Sequence, residues 1–496
     1  MQKKGNLFLL IKSLSKPEKR YFRLFTSQQE SQHNYLKLFD FIQKQNEDDD
    51  QAIKTAFKDE KFIKQLHVTK IYLRDLILKA LRNFHQKSSK NLLILGYLQE
   101  MEILFHKELY PQCEALVEKI IGLAESYEKF PLLIEALNWK RKLLMTTRGA
   151  GKEQENINMI LKEERKILEW IGELNELWRI TINIYNIFQE LEGIAGTRQG
   201  YSLKNKLLDK EPDFLQGKVL YYYIRQTESY YKADPEKAYQ FAENLCLLLE
   251  KLPERIKDEP KVYSTALSNQ IGMLLQMKRL DYIPPLLEKA KQIPTTYGLR
   301  INSSFVVRWY VQIFNIELEL LRDTKAFEKG VERIGEIKAF IEKHKQSVPL
   351  AYRLLLYYQF SYLYFMEKEF SKSLSCLNII LNENFGAERS DILSYARFLN
   401  LAIHFELGNI MVLKYAVIAT KRFLKKNRKL LPFENTLLKF FSKVSVSPKS
   451  HFPELLQKLK KDLFAKAGKS EIERVLDYFD FHYWIEVRLL KNKQTH

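Results

Sequence analysis

Between Leu92 and Leu463 the chain keeps returning to one pattern: an apolar helix-length stretch, a short polar turn, and a second amphipathic stretch. The clearest copy is YYQFSYLYFMEKEFSKSLSCLNIIL, Tyr357 to Leu381, with its polar turn at Glu367 to Glu369. Such units follow one another at about 40–47 residues, the spacing of stacked helical hairpins. A hairpin of this kind cannot bury its apolar face alone and does so against its neighbours. That restricts the chain to an all-α architecture, and composition points the same way. Only 17 Gly and 14 Pro interrupt 496 residues, and abundant Leu, Ile, Lys and Glu favours helix. Strict apolar–polar alternation is almost absent, which predicts little strand.

The hairpins share a register. Tyr97 to Glu125 can be laid over the Tyr357 unit without a gap, placing Tyr97 on Tyr357, Leu104 on Tyr364, Tyr110 on Phe370, Cys113 on Ser373 and Ile120 on Ile380. The residue that opens the second helix then recurs as Tyr110, Pro235, Leu280, Phe327, Phe370 and Ile410. Gly151, Leu191 and Phe452 fill the gaps and bring the expectation to about nine hairpins. Three regions follow: a bundle of short helices over 1–88, the hairpin array over 89–466, and a capping helix with a tail over 467–496. In the first, Ser15-Lys16-Pro17-Glu18 reads as a helix start, because the hydroxyl can cap, Glu18 can reach back, and Pro17 needs no N–H in the first turn. Helices are expected to present Tyr21, Phe22, Leu24 and Phe25, to run from Tyr35 to Gln43, and to run from Thr69 to Phe84. Asn46 to Asp50 reads as a solvated turn, and His85 to Lys90 as the domain boundary. The last helix, Glu471 to Leu490, is expected to cover the open end of the array.

The Tyr357 unit resembles a tetratricopeptide repeat in degenerate form. Tyr357 stands at the first aromatic slot, Ser361 at the small slot, Tyr364 at the second aromatic slot, Phe370 opens the second helix, and Ser373 sits at the usual Ala position. The units exceed the family's usual length of about 34 residues, and most lack its Gly, second Ala and closing Pro. The resemblance implies a right-handed α-solenoid whose first helices line a concave, peptide-binding groove. Carried over by position, that groove consists of Tyr223, Tyr230 and Tyr231, then Gln312, Asn315, Glu319 and Arg322, then Tyr358, Tyr362 and Phe365. A polar stripe flanked by tyrosines suits an extended peptide, because rigid amphipathic rings give contact area at low entropic cost. The alternative is that these rings fill space between long helices.

Signs of catalysis or cofactor binding are missing. The nine His include no HExxH and no HxxxH pair, and Cys113, Cys246 and Cys376 lie far apart, so neither a zinc site nor a disulfide framework is expected. Reduced, buried thiols are the expectation. Arg148 to Lys152 lacks the first Gly of a phosphate loop and has Glu153 where Ser or Thr is needed, so it reads as an inter-hairpin turn. Asp48 to Asp50 lacks the Gly and distal Glu of a calcium loop. No cofactor, metal or enzymatic role is expected. No stretch approaches about 18 uncharged apolar residues, and Leu7 to Ile11 is too short for a signal peptide. The expectation is a cytoplasmic protein without membrane insertion.

The net charge of +19 is uneven. Residues 1–90 carry 19 Lys/Arg against 10 Asp/Glu, residues 411–496 carry 19 against 8, and the 320 residues between carry 42 against 43. The densest cluster is Lys421, Arg422, Lys425, Lys426, Arg428 and Lys429, followed by Lys458, Lys460 and Lys461. It could face phosphates or an acidic protein, or simply complement the end of a helix. Residues 65–84 are similar to the turn and second helix of a helix-turn-helix, especially the sigma-factor region that reads promoters. Ile71, Tyr72, Leu76, Ile77 and Leu78, however, make that helix apolar on most sides, as a buried helix would be. The leading expectation is a non-catalytic scaffold or adaptor that binds a peptide or protein in the groove. The alternative is a nucleic-acid-associated regulator that uses the basic ends, with the solenoid as a sensor.

Overall fold

The structure, a computed structural model, describes residues 6–27, 33–147, 153–192, 206–301, 303–382, 390–427, 430–463, 465, 472, 475–476 and 478–494. Among them every regular element is helical. The chain divides into two compact units, residues 1–176 with 212–217, and residues 177–211 with 218–496.

The first unit contains two separate hydrophobic cores. The N-terminal one is built by α1 (Asn6–Ser13), α2 (Lys16–Ser27), α3 (His33–Lys44), α4 (Asp50–Ala56) and α5 (Leu66–His85). Phe22, Leu38, Phe39, Ile42, Leu73 and Ile77 form its centre. The expected cap is present: Ser15 N–H donates to Glu18 Oε2 at 2.6 Å and Glu18 N–H to Ser15 Oγ at 3.4 Å. His85 Nε2 lies 2.6 Å from Glu18 Oε1, tying the start of α2 to the end of α5. The acidic turn serves as a cap as well, with Asp49 Oδ1 accepting from Gln51 N and Ala52 N and so opening α4. The helix-turn-helix-like α5 is not buried on most sides. It buries Thr69, Leu73, Ile77 and Ala80 but exposes Val68, Ile71, Tyr72 and Leu78.

The second core of this unit draws on α6 (Lys90–His106), α7 (Tyr110–Ser126), α8 (Phe130–Thr147) and the start of α9 (Gln154–Glu192). The two cores change over between α5 and α6, residues 85–90, within this one compact unit. Helix α9 runs 39 residues to Glu192, so Leu191, expected to open the second helix of a hairpin, instead lies in the last turn of this one. It contains no Pro and one Gly, so nothing in its backbone chemistry stops it. Gly151 and the Arg148 to Lys152 turn lie outside the described residues.

The second unit continues with α10 (Leu215–Tyr231), α11 (Pro235–Glu250), the short α12 (Pro253–Asp258), α13 (Pro260–Gln276) and α14 (Ile283–Thr296). Then come α15 (Ser304–Asp323), α16 (Phe327–Lys343), α17 (Leu350–Met366), α18 (Phe370–Asn382), α19 (Ser390–Glu406), α20 (Ile410–Asn427), α21 (Pro432–Val444), α22 (Phe452–Asp462) and α23 (Phe481–Gln494). A helical element opens at each of Tyr110, Pro235, Leu280, Phe327, Phe370 and Ile410.

One turn recurs before those six positions. Glu108, Ala233, Lys278, Lys325, Lys368 and Gly408 each take a left-handed conformation, with φ between 55° and 71°. The next N–H reaches back five residues, as from Leu109 to Leu104 O, Ala326 to Leu321 O, Glu369 to Tyr364 O and Asn409 to His404 O. This is the Schellman closure, which satisfies carbonyls that the ending helix leaves open. Within the best hairpin, Ser361 Oγ lies 3.0 Å from Ser373 O, and Ser373 Oγ donates to Ser361 O at 2.7 Å. Gly330 of α16 sits so close to α17 that a Cβ there would stand 2.8 Å from Leu363 Cδ2.

The C-terminal region is not one helix from Glu471 to Leu490. Helical structure stops at Phe479 and Asp480, and Asp480 Oδ1 then caps α23 by accepting from Tyr483 N at 2.9 Å. A short acidic side chain competes for backbone N–H groups and restarts the helix there.

Candidate functional site

In the second unit the first helices of successive hairpins pack on one another: α13 on α15, α15 on α17, α17 on α19 and α19 on α21. The second helices α14, α16, α18 and α20 do not do so to a comparable extent. The row of first helices carries the groove residues expected from the sequence, and the structure separates them into two stretches.

The α17–α19 stretch is covered by the chain itself. Tyr358, Tyr362 and Phe365 are 1%, 3% and 3% exposed, so they are not a surface for a partner as expected. Tyr358 donates its hydroxyl hydrogen to Tyr478 O at 3.1 Å. The Phe479 ring packs edge-on against Tyr362 at 5.3 Å and Phe365 at 5.4 Å. Tyr478 stacks on Tyr395 at 4.0 Å with the planes 5° apart. Trp484 Nε1 donates to Glu406 Oε1 at 2.9 Å, and its ring meets Phe365, Phe405 and Phe441. Burial holds the Tyr358 and Tyr362 hydroxyls protonated by pushing both well above the usual phenol range. Arg322 is buried too; it pairs with Asp323 at 3.2 Å and lies over the Tyr362 ring. An aromatic stripe on a first helix found its match in the same chain, which sequence periodicity does not distinguish from an open groove.

The α10–α13–α15 stretch is more open and polar. Tyr223 is exposed, and Tyr230 and Tyr231 are half-buried in edge-to-face contact at 5.1 Å. Gln312, Asn315 and Glu319 are half-buried. Neighbouring first helices are joined by side-chain amides: Asn269 Nδ2 donates to Gln226 Oε1 at 3.3 Å, and Gln312 Nε2 to Ser268 Oγ at 3.0 Å. Asn315 Oδ1 is buried and accepts no hydrogen bond. Sequence reasoning missed Gln226, Ser268 and Asn269, although Gln226 lies one turn beyond Tyr223 in the same register. It also missed Tyr478, Phe479 and Trp484 as the occupants of the aromatic stretch.

The basic residues are at the surface. Lys421, Arg422, Lys425 and Lys426 on α20 are exposed, as are Lys458, Lys460 and Lys461 on α22. Lys460 pairs with Glu486 at 2.8 Å. Arg428 and Lys429 lie outside the described residues. The three thiols are buried, and burial, reinforced by the Glu250 carboxylate, pushes Cys246 up to about 12. Among the described residues no three His, Cys, Asp or Glu side chains are grouped to hold a metal ion, and no helix is long and apolar enough to cross a membrane.

No family model matches the chain, and no curated protein is detectably similar to it.

Proposed function

We propose that the chain is a non-catalytic interaction scaffold, a tetratricopeptide-like array whose first helices form a face that takes peptide segments. The observation that carries this reading is that the α17–α19 part of the face holds a segment of the chain itself, with aromatic rings in aromatic sockets and a hydroxyl on a main-chain carbonyl. Those contacts are the means by which a groove grips a peptide in trans: ring burial gives affinity and a main-chain hydrogen bond gives alignment. Tighter packing along the first helices than along the second also favours curvature toward that face. The ligand in trans is assigned to the polar stretch over α10, α13 and α15. There the half-buried amides of Gln312 and Asn315 suit a peptide backbone, and Tyr223 offers an exposed ring.

The test is selection from a displayed peptide library on the full chain. Selected peptides should lose at least tenfold in affinity with Asn315→Leu or Tyr223→Ala, and melting curves should confirm that both variants are folded. Failure to select any peptide, or equal binding by both variants and the parent, rejects the reading. The second reading, a nucleic-acid-associated regulator, is favoured by one observation, the exposure of Lys421, Arg422, Lys425 and Lys426. It predicts steeply salt-dependent retention of duplex DNA or RNA, lost on charge reversal at Lys425 and Lys426.

A further inference from the structure

Helix α20 presents a face that the groove does not use. Leu413, Val417 and Leu424 anchor the inner side of this 18-residue helix in the core. On the outer side Met411, Tyr415 and Ile418 are 72%, 68% and 50% exposed. These positions are spaced i, i+4 and i+7, so they form one ridge. Continuing the ridge by the same steps reaches Arg422, Lys425 and Lys426, all exposed. The face is therefore mainly apolar along its first half, where Lys414 is the single exposed cation, and cationic along its second.

Among the described residues no carboxylate neutralises it. Helix α20 contains no Asp or Glu, and none of Lys414, Lys421, Arg422, Lys425 and Lys426 forms an ion pair among the described residues. Lys421 with Lys425, and Arg422 with Lys426, are like-charge pairs at i, i+4, an arrangement that weakens a helix. The helix C-terminus offsets part of that cost but gives no reason to expose Met411, Tyr415 and Ile418 beside the cations.

We infer that this face docks an amphipathic helix of a partner protein, apolar over one half of its contact ridge and rich in Asp and Glu over the other. Ridge spacing on α20 matches helix-on-helix packing, and its exposed cations, without an ion pair among the described residues, call for carboxylates. Nucleic acid would leave the Met411, Tyr415 and Ile418 ridge unused. A bilayer would need apolar and charged residues on opposite faces of the helix, whereas here they lie end to end on one face.

The test uses the full chain and a labelled synthetic helical peptide with Leu and Ile along half of one face and Glu along the other half. A composition-matched scrambled peptide, anionic phosphatidylglycerol vesicles and a duplex DNA serve as competing probes. The designed peptide should bind in preference to all three. Affinity should fall at least tenfold with Lys421→Glu plus Lys425→Glu, and also with Tyr415→Ser plus Ile418→Ser. All four residues are exposed, so melting temperature should hold in both variants and show that folding is intact. Asn315→Leu should leave this binding unchanged, which separates it from the groove. The proposal is overturned by absence of peptide binding, by indifference to the Tyr415 and Ile418 changes, or by preference for vesicles or DNA.

Discussion

Ser361 and Ser373 exchange hydrogen bonds across one hairpin, each hydroxyl reaching the other residue's backbone carbonyl while both side chains are fully buried. The pair fastens α17 to α18, five residues before the end of the first helix and three after the start of the second. Small side chains are needed for the approach, and once buried their hydroxyls need partners. Ser361→Ala and Ser373→Ala should each cost about 1 kcal/mol. The double variant should cost less than the sum, because the two hydroxyls also lie 3.0 Å apart. Urea denaturation of the four proteins checks this, and strict additivity would show that the two bonds act independently.

The recurring turn is costly wherever its left-handed residue has a side chain. Gly408 alone among the six interhelical turns avoids that cost. No atom lies within 4 Å of a Cβ added there, so Gly408→Ala should lose about 1 kcal/mol through backbone conformation only. Lys368→Gly, at the matching position with φ 62°, should be neutral or slightly stabilising. Thermal melts of the two variants should move apart in these directions.

Gly330 lies against Leu363, which is fully buried and has no room to retreat. Gly330→Ala should destabilise by about 1–3 kcal/mol despite the better helix propensity of Ala. Leu363→Val in the same chain should recover part of the loss. A melt in which Gly330→Ala alone is more stable than the parent would contradict this packing.

Acid should weaken the fold in two steps. Burial depresses the pKa of His404, so the folded state resists a proton that the unfolded chain takes up near pH 6.5. Its contribution is complete above that pH and declines as pH falls below it. Glu18 is partly buried, which raises its pKa, but bonds from the Ser15 hydroxyl and N–H and from His85 outweigh this and leave it depressed. Its stabilisation is present above about pH 4.5 and is lost as pH falls through the lower, folded value. Stability measured from pH 7 to pH 3 should lose its upper step in His404→Gln and its lower step in Glu18→Gln.

The hairpin register was legible in the sequence because it is local. The polar turn and the residue that opens the second helix fall within a few residues, so Phe327, Phe370 and Ile410 could be found by spacing alone. Capping at Ser15 and Glu18 was legible for the same reason. What stayed hidden was long-range. The aromatic face of α17 has the same periodicity whether solvent, a partner or Phe479 fills it, and only the folded chain shows Tyr478 above Tyr358. No helix opens at Leu191, because a wanted repeat length is weaker than a breaker-free helix. The basic residues were found by composition, but their union with Met411, Tyr415 and Ile418 on one ridge required knowing which side of α20 is buried.

The Tyr358–Tyr478 bond spans 120 residues, and that separation has a consequence for biosynthesis. At about 5–20 residues per second, Tyr358, Tyr362 and Phe365 leave the ribosome at least several seconds before Tyr478 and Phe479 exist. Throughout that interval the emerging array displays a strip of unsheltered rings, the kind of surface that chaperones hold and that nascent chains aggregate through. The residues that complete this face are thus also the ones whose arrival shelters those rings.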